Sequence, residues 1–423
     1  MSPITSAASD VQTAAQQLQK RSAASQFRNQ WGNPSDIFSL LLIIGPEIIK
    51  AALSQQAGCI FTPAVFSFGW VAYAFNSLLA VFGDPTDANQ DTRMTPNPDF
   101  PAQVINAKYR HVRDNKAWII GRLLRDQELS RRYAESTIPD TDDAVRNQDF
   151  QMSFFRYDQA ATAGEIRRDA VWYSGFAVML LQLVVSIVPF ATHRNWAPVT
   201  VTAGGTVLAL LHGAIPQWKS EKWSRVADID STVCITQGNG SRYVMVILGS
   251  DGDGDRGSKK RCKGLDIELL ASGSKRFRFS KLSRATSVGL AVLWIVLLIS
   301  VTGLEEDTWY LMAVGLIGMV HSIYVAGAAR HPSALGIHLV EEKGSTIKKP
   351  MIAEALREAE KRYPFIGVGS SLIPTFFPGG MRIPQDDVSF WTVAAKRRKL
   401  QGIEQLHITV EDPLPERSLT SLV

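Results

Sequence analysis

Four ionisable side chains lie inside stretches that are otherwise apolar: Glu47, Lys50, His212 and His321. Charges and imidazoles are expensive at membrane depth, so such residues are by default candidates for a proton relay or for holding a substrate. They would serve equally as interhelical hydrogen-bond partners, a role also open to Gln182 and Asn76. No HxxxH or HExxH spacing gathers ligands on one helix face, so the histidines carry no metal signature. Glu47 and Lys50 are three apart on one helix face, where they could neutralise each other or face a protein interior.

The other motifs that could do chemistry fail. Asp251-Gly-Asp253-Gly-Asp255 starts like a calcium loop, but Arg256 stands where glycine is required and Cys262 where glutamate is. A solvated turn is the plainer reading. Cys59, Cys234 and Cys262 form no CxxC pair and leave an odd thiol, which excludes a disulfide scaffold. There is no GxSxG, no GxGxxG after a strand and no paired-aspartate motif. The sequence therefore offers no catalytic residue, cofactor or metal, and leans away from an enzyme.

These residues need elements to hold them. The chain has 423 residues with a net charge of +5, but the charge is unevenly spread. A bilayer core of about 30 Å needs roughly 20 apolar residues in a helix. Residues 58–82, 170–192, 197–218, 287–304 and 308–329 meet that length without a single Asp, Glu, Lys or Arg. Residues 37–53 are borderline. Their Ile, Leu and Phe side chains contribute about −0.3 to −0.6 kcal/mol each, against about +2.5 to +3.5 for each of Glu47 and Lys50.

Charge sets the orientation. Connectors 84–169 and 219–284 carry 13 and 14 Lys+Arg, and the tail holds Lys396-Arg397-Arg398-Lys399, whereas one short link is Glu305-Glu306-Asp307. Lys and Arg are retained on the cytoplasmic side, which puts both connectors and the tail inside. An even number of spans then places the N-terminus inside as well. The expected fold is an all-α polytopic membrane protein with six, or alternatively five, transmembrane helices, cytosolic helical connectors and a small β-hairpin unit. Its expected parts are a disordered polar arm (1–36), transmembrane hairpins at 37–82, 170–218 and 287–329, connectors at 83–169 and 219–286, and a cytosolic tail (330–423).

Within the connectors, Trp118 to Arg125 reads as an amphipathic basic helix, lying on the membrane surface or packed on a cytosolic neighbour. Val233 to Thr236 and Tyr243 to Leu248 flank Gly238-Asn239-Gly240-Ser241, a hairpin signal. Because 243–248 is apolar on both faces, that strand needs cover on both sides. Leu265 to Leu270 adds a third strand or starts a helix. In the tail, 351–363 reads as an amphipathic helix ended by Pro364. Residues 371–382, broken by Pro374 and Pro378, read as a loop beside membrane or protein. Asn239-Gly-Ser241 is the chain's glycosylation acceptor and would report topology.

Four stretches together resemble an uncharacterised family of fungal multi-pass membrane proteins: Phe61-Thr-Pro-Ala-Val-Phe-Ser-Phe-Gly-Trp-Val-Ala-Tyr73, Gly121-Arg-Leu-Leu-Arg-Asp126, Gly238-Asn-Gly240 with Val246-Ile-Leu-Gly249, and Leu372-Ile-Pro-Thr-Phe-Phe-Pro-Gly379. The resemblance implies a fungal source and a membrane location, and carries over no catalytic or binding residue. The expected function is a scaffold or accessory protein at an endomembrane or the plasma membrane, linked to a biosynthetic pathway. Its expected partners are the lipid bilayer and cytosolic or membrane proteins, with no nucleic acid. The alternatives are a small-molecule transporter using the intramembrane polar residues and a membrane-embedded enzyme.

Overall fold

The computed structural model describes residues 35–59, 61–82, 93–136, 149–223, 226–250, 263–273, 281–304, 306–400 and 408–410. In chain order the first elements are α1 (Ser35–Gln56), α2 (Gly69–Phe82), β1 (Gln103–Asn106), β2 (Val112–Asp114), α3 (Trp118–Ser136) and β3 (Phe150–Tyr157). Then come α4 (Ala170–His193), α5 (Ala197–Gly213), α6 (Gln217–Lys222), β4 (Val226–Asp228), β5 (Val233–Thr236), β6 (Tyr243–Leu248), β7 (Lys263–Leu265) and α7 (Ile267–Ser272). The last are α8 (Lys281–Thr302), α9 (Thr308–Gly327), β8 (Leu339–Glu341), β9 (Ile347–Lys349), α10 (Ile352–Arg362), α11 (Val368–Phe376), β10 (Met381–Ile383), α12 (Val388–Leu400) and β11 (Ile408–Val410). Nearly all of the polar arm and the whole calcium-like loop with Cys262 lie outside the described residues.

The chain divides into two compact units. One comprises residues 1–95, 168–218 and 278–328, the other 96–167, 219–277 and 329–423. In the first unit four helices are long and apolar enough to cross a membrane: α4, α5 continued through α6, α8 and α9. Six spans are not supported. Residues 61–68 are irregular rather than helical, so the expected span at 58–82 shrinks to the 14 residues of α2. Helix α1 is long enough at 22 residues, but Pro46, Glu47 and Lys50 interrupt its apolar run, and it is not among the four.

The four helices bury small and polar residues among apolar ones, and the face they leave exposed is apolar. On α4 the buried stripe includes Gly175, Gln182 and Ser186, while Leu180, Leu181, Val184 and Ile187 are exposed. On α9 Gly315, Gly318, His321 and Ser322 are buried, while Leu316, Val320 and Ile323 are exposed. A helix in water shows the reverse. Small and hydrogen-bonding residues at the contacts and large aliphatic ones outward are what lipid selects.

Short links close the helix pairs α4–α5 and α8–α9 at one end of the bundle, where Asn195 donates to Asp307 at 3.0 Å. At the opposite end Gln55 donates to Ala328 O and Gln56 to Val171 O, which tie the end of α1 to the ends of α9 and α4, and Thr62 in the stretch that follows donates to Gly213 O of α5.

The second unit corrects the all-α expectation. The hairpin β5–β6 forms in antiparallel register, Val233 opposite Ile247, but it is the centre of a seven-stranded mixed sheet in the order β2-β1-β5-β6-β3-β8, with β9 also on β3. The β6–β3 pair is parallel and the remaining pairs of this sheet are antiparallel. Alternation along β6 sends Tyr243, Met245 and Ile247 to one core and Val244, Val246 and Leu248 to another. The first core is covered by Trp118, Ile120 and Leu123 of α3 with Ile267 and Leu270 of α7, the second by α10, α11 and Trp391 of α12. Both faces are thus buried, as the two-sided apolar strand requires.

Three local readings resolve here. Trp118 to Arg125 packs into protein instead of lying on a membrane surface. Residues 265–270 do both things, ending β7 at Leu265 and starting α7, which Asp266 caps by accepting from Leu269 N at 2.9 Å. The expected loop at 371–382 is helix α11 as far as Phe376, which tolerates Pro374 within its nine residues, then a turn and β10 from Met381.

Candidate functional site

The structure does not gather the four ionisable candidates into one site. Glu47 is exposed on α1 and Lys50 is half-buried. His212 lies fully buried near the end of α5. Trp294 Nε1 donates to its Nδ1 at 3.2 Å, and Nε2 has no hydrogen-bond partner among the described residues. His321, on α9, meets Ser174 Oγ at 3.0 Å; because that hydroxyl donates to Val171 O at 2.8 Å, the imidazole is the donor.

Trp70 stands between the two histidines. Its ring centroid is 5.7 Å from that of His212, and it lines with His321, Ser322 and Gln56 a cavity of about 10 Å³. That volume is about the minimum for one water molecule and too small for an organic solute. Among the described residues no three His, Cys, Asp or Glu side chains gather closely enough to hold a metal ion.

What the polar groups do hold is the irregular stretch before α2. Gln182 Nε2 donates to Phe66 O at 2.8 Å and to Val314 O at 2.7 Å, and Trp70 Nε1 donates to Val65 O at 2.8 Å. Non-helical backbone is tolerated at membrane depth only inside protein, because lipid offers no hydrogen-bond partner. Thr62 to Trp70 is accordingly buried throughout. Glycines make the room. A Cβ on Gly318 would collide with Phe66 O, one on Gly205 with the Phe66 ring, and one on Gly175 would lie 2.5 Å from Pro63 O. Phe66 also stacks on Trp294, with 6.1 Å between centroids. Sequence reading offered Gln182 as a hydrogen-bonding residue but had no signal for its carbonyl partners.

The second unit contains two charge networks centred on the buried side chains of Arg122, Asp126, Glu360 and Arg398. Arg122 Nη1 pairs with Asp99 Oδ2 at 2.7 Å, Arg125 Nη2 with Asp126 Oδ1 at 2.9 Å, and Asp126 Oδ2 accepts from Arg330 N at 3.0 Å. Burial raises the Asp126 carboxyl above the usual aspartate value and lowers the Arg122 guanidinium. In the tail, Arg398 Nε donates to Ser370 Oγ at 2.8 Å, and its Nη groups reach Ala107 O, Lys108 O and Gly367 O. Burial brings Arg398 down to about 10 and raises Glu360, whose Oε2 accepts from Ser370 N at 2.9 Å. So the basic run 396–399, which reads as surface charge in the sequence, contributes an internal clamp.

A groove of about 760 Å³ opens between α10, β10 and α12. Its wall carries Arg357, which pairs with Asp387 at 3.0 Å and lies over the Phe390 ring. Asn239 is exposed at the tip of the β5–β6 hairpin, but the Ser241 hydroxyl of its acceptor motif is buried and donates to Tyr243 O at 3.1 Å. The folded hairpin therefore withholds one of the groups that glycosylation needs.

Compared with protein-family models, curated proteins and solved structures, the chain matches none.

Proposed function

We propose that this chain is an integral membrane protein whose helical bundle anchors a cytosolic α/β unit, and that it works as a non-catalytic scaffold or accessory protein for partners at a fungal membrane. One observation carries the reading. The central sheet interleaves strands from all three segments outside the bundle: β2 and β1 from 96–167, β5 and β6 from 219–277, β3 again from the first, and β8 and β9 from 329–423. These segments alternate in the chain with the α4–α5 and α8–α9 pairs. The chain thus returns to the same hydrogen-bonded sheet after each helix pair. That suits a fixed platform.

A second reading, a small-molecule carrier, is favoured by the irregular backbone of 61–68, because interrupted segments near the midplane often form solute sites in carriers. Against it, Gln182, Trp70 and the surrounding glycines already occupy that backbone. A proximity-labelling enzyme fused to the tail distinguishes the two. A scaffold gives a discrete set of proteins enriched over the same enzyme on an unrelated anchor in the same membrane. No enrichment, together with a solute flux that disappears when the protein is removed, would favour the carrier.

A further inference from the structure

The bundle sorts its aromatic side chains by depth. Among the described residues of the first unit, Trp70, Tyr73, Trp172, Trp218 and Trp294 are buried and Tyr310 is half-buried. The Trp and Tyr side chains left exposed are Tyr173, Trp196, Trp309 and Tyr324, and all four stand at bundle ends. Tyr173 and Tyr324 lie within one turn of Val171 and Ala328, whose carbonyls accept from the neighbouring Gln56 and Gln55, so these two rings share one end. Trp196 and Trp309 adjoin the hydrogen-bonded pair Asn195 and Asp307, or lie two residues from it, so they share the other. Between the ends, α9 exposes Leu316, Val320 and Ile323, and the exposed side chains of α4 are likewise apolar. Trp and Tyr collect at membrane surfaces because an apolar ring carries a polar N–H or O–H that wants water.

The spacing of the rings measures the apolar layer they bound. At a rise of 1.5 Å per residue, Trp309 and Tyr324 stand about 23 Å apart along α9. Helix α5 is about 26 Å long from Trp196 to its end at Gly213. On α4 the exposed apolar run from Tyr173 to Phe190, before Thr192, His193 and Arg194, covers about 25 Å. Exposed aliphatic side chains on α8 run from Val288 to Ile299, about 17 Å, inside the same limits. Tilt shortens each length along the membrane normal. We propose that the bundle is fitted to a thin bilayer with a hydrocarbon core of about 23–26 Å. Its lipid partner is then a thin, sterol-poor endomembrane, of which the endoplasmic reticulum at about 27 Å is the type, and not a sterol- and sphingolipid-rich plasma membrane at about 32 Å. In a core of the latter thickness Trp309 and Tyr324 cannot both reach a surface. This fit rests on the reading of the bundle as membrane-spanning.

The test is the melting temperature of the full chain in vesicles of dimyristoleoyl-, dioleoyl- and dierucoyl-phosphatidylcholine, which thicken in that order. Flotation of the vesicles through alkaline carbonate reports whether the chain is inserted. The melting temperature should fall stepwise from the thinnest lipid to the thickest. In the double variant Trp309→Leu/Tyr324→Leu, which exchanges two exposed rings for aliphatic side chains and lengthens the apolar face of α9, the fall should be shallower. A maximum in the dierucoyl lipid, or one melting temperature in all three, from a chain that floats with the vesicles would overturn the thin-bilayer fit alone. An unchanged slope in the double variant would overturn the part assigned to the rings. A chain that carbonate strips from the vesicles would overturn the membrane-spanning reading and the fit with it.

Discussion

Gln182 is the residue on which the membrane unit's polar interior turns. A single amide satisfies two main-chain carbonyls, Phe66 O and Val314 O, from two segments that pass each other inside the bundle. Replacing it with leucine keeps the bulk and removes both donors. Gln182→Leu should cost about 1–2 kcal/mol, seen as a lower melting temperature of the full chain in detergent. Asn76→Leu, on an exposed face of α2, should leave it unchanged. Glu360 makes the corresponding prediction for the second unit. Burial raises its carboxyl above the ordinary value of 4.5. A raised carboxyl binds its proton more tightly folded than unfolded, so its stabilisation is complete below that ordinary value and lost as pH rises through the raised one. Glu360→Gln keeps an acceptor for Ser370 N and should flatten this part of the stability profile on titration from acid towards neutral pH. Glu360→Ala should cost about 1–3 kcal/mol by leaving Ser370 N without its acceptor.

At the scale of elements, the irregular segment before α2 survives because glycines from three helices leave room for it. Gly318→Val would place carbon against Phe66 O, so it should cost about 1–3 kcal/mol or more and lower the yield of folded protein on size-exclusion chromatography. Gly289→Ala, whose Cβ would meet nothing within 4 Å, is the control and should be neutral. This segment also marks where sequence reading stopped. Helices α4, α5, α8 and α9 are legible because unbroken apolar length suffices for a span. Phe61 to Phe68 is just as free of charge, and composition alone does not reveal that its backbone is not helical. The β5–β6 hairpin is legible from Asn239-Gly240, a local signal. Its parallel neighbour β3 lies nearly 90 residues earlier, inside a connector read as helical, and a long-range pairing of that kind leaves no mark on local periodicity. The candidate site fared in the same way. His212, His321 and Gln182 were visible as polar exceptions, but their partners Trp294, Ser174 and Phe66 O follow only from the packing.

For the whole molecule, the proposed fixed platform rests on a sheet whose strands come from the three chain segments that alternate with the helix pairs. Deleting residues 219–284 is a poor test of a scaffold role, because it removes β5 and β6 from the centre of that sheet and should unfold the second unit outright. Spin labels on outward-facing positions of two different helix pairs leave the packing intact. Ile187 on α4 and Ile299 on α8 are both exposed and suit the purpose. The most direct measurement is therefore the pulsed dipolar distance between labels at 187 and 299 in the full chain in lipid vesicles. A single narrow distance distribution is the expected result, and two resolved populations of the kind an alternating-access carrier shows would contradict the fixed platform.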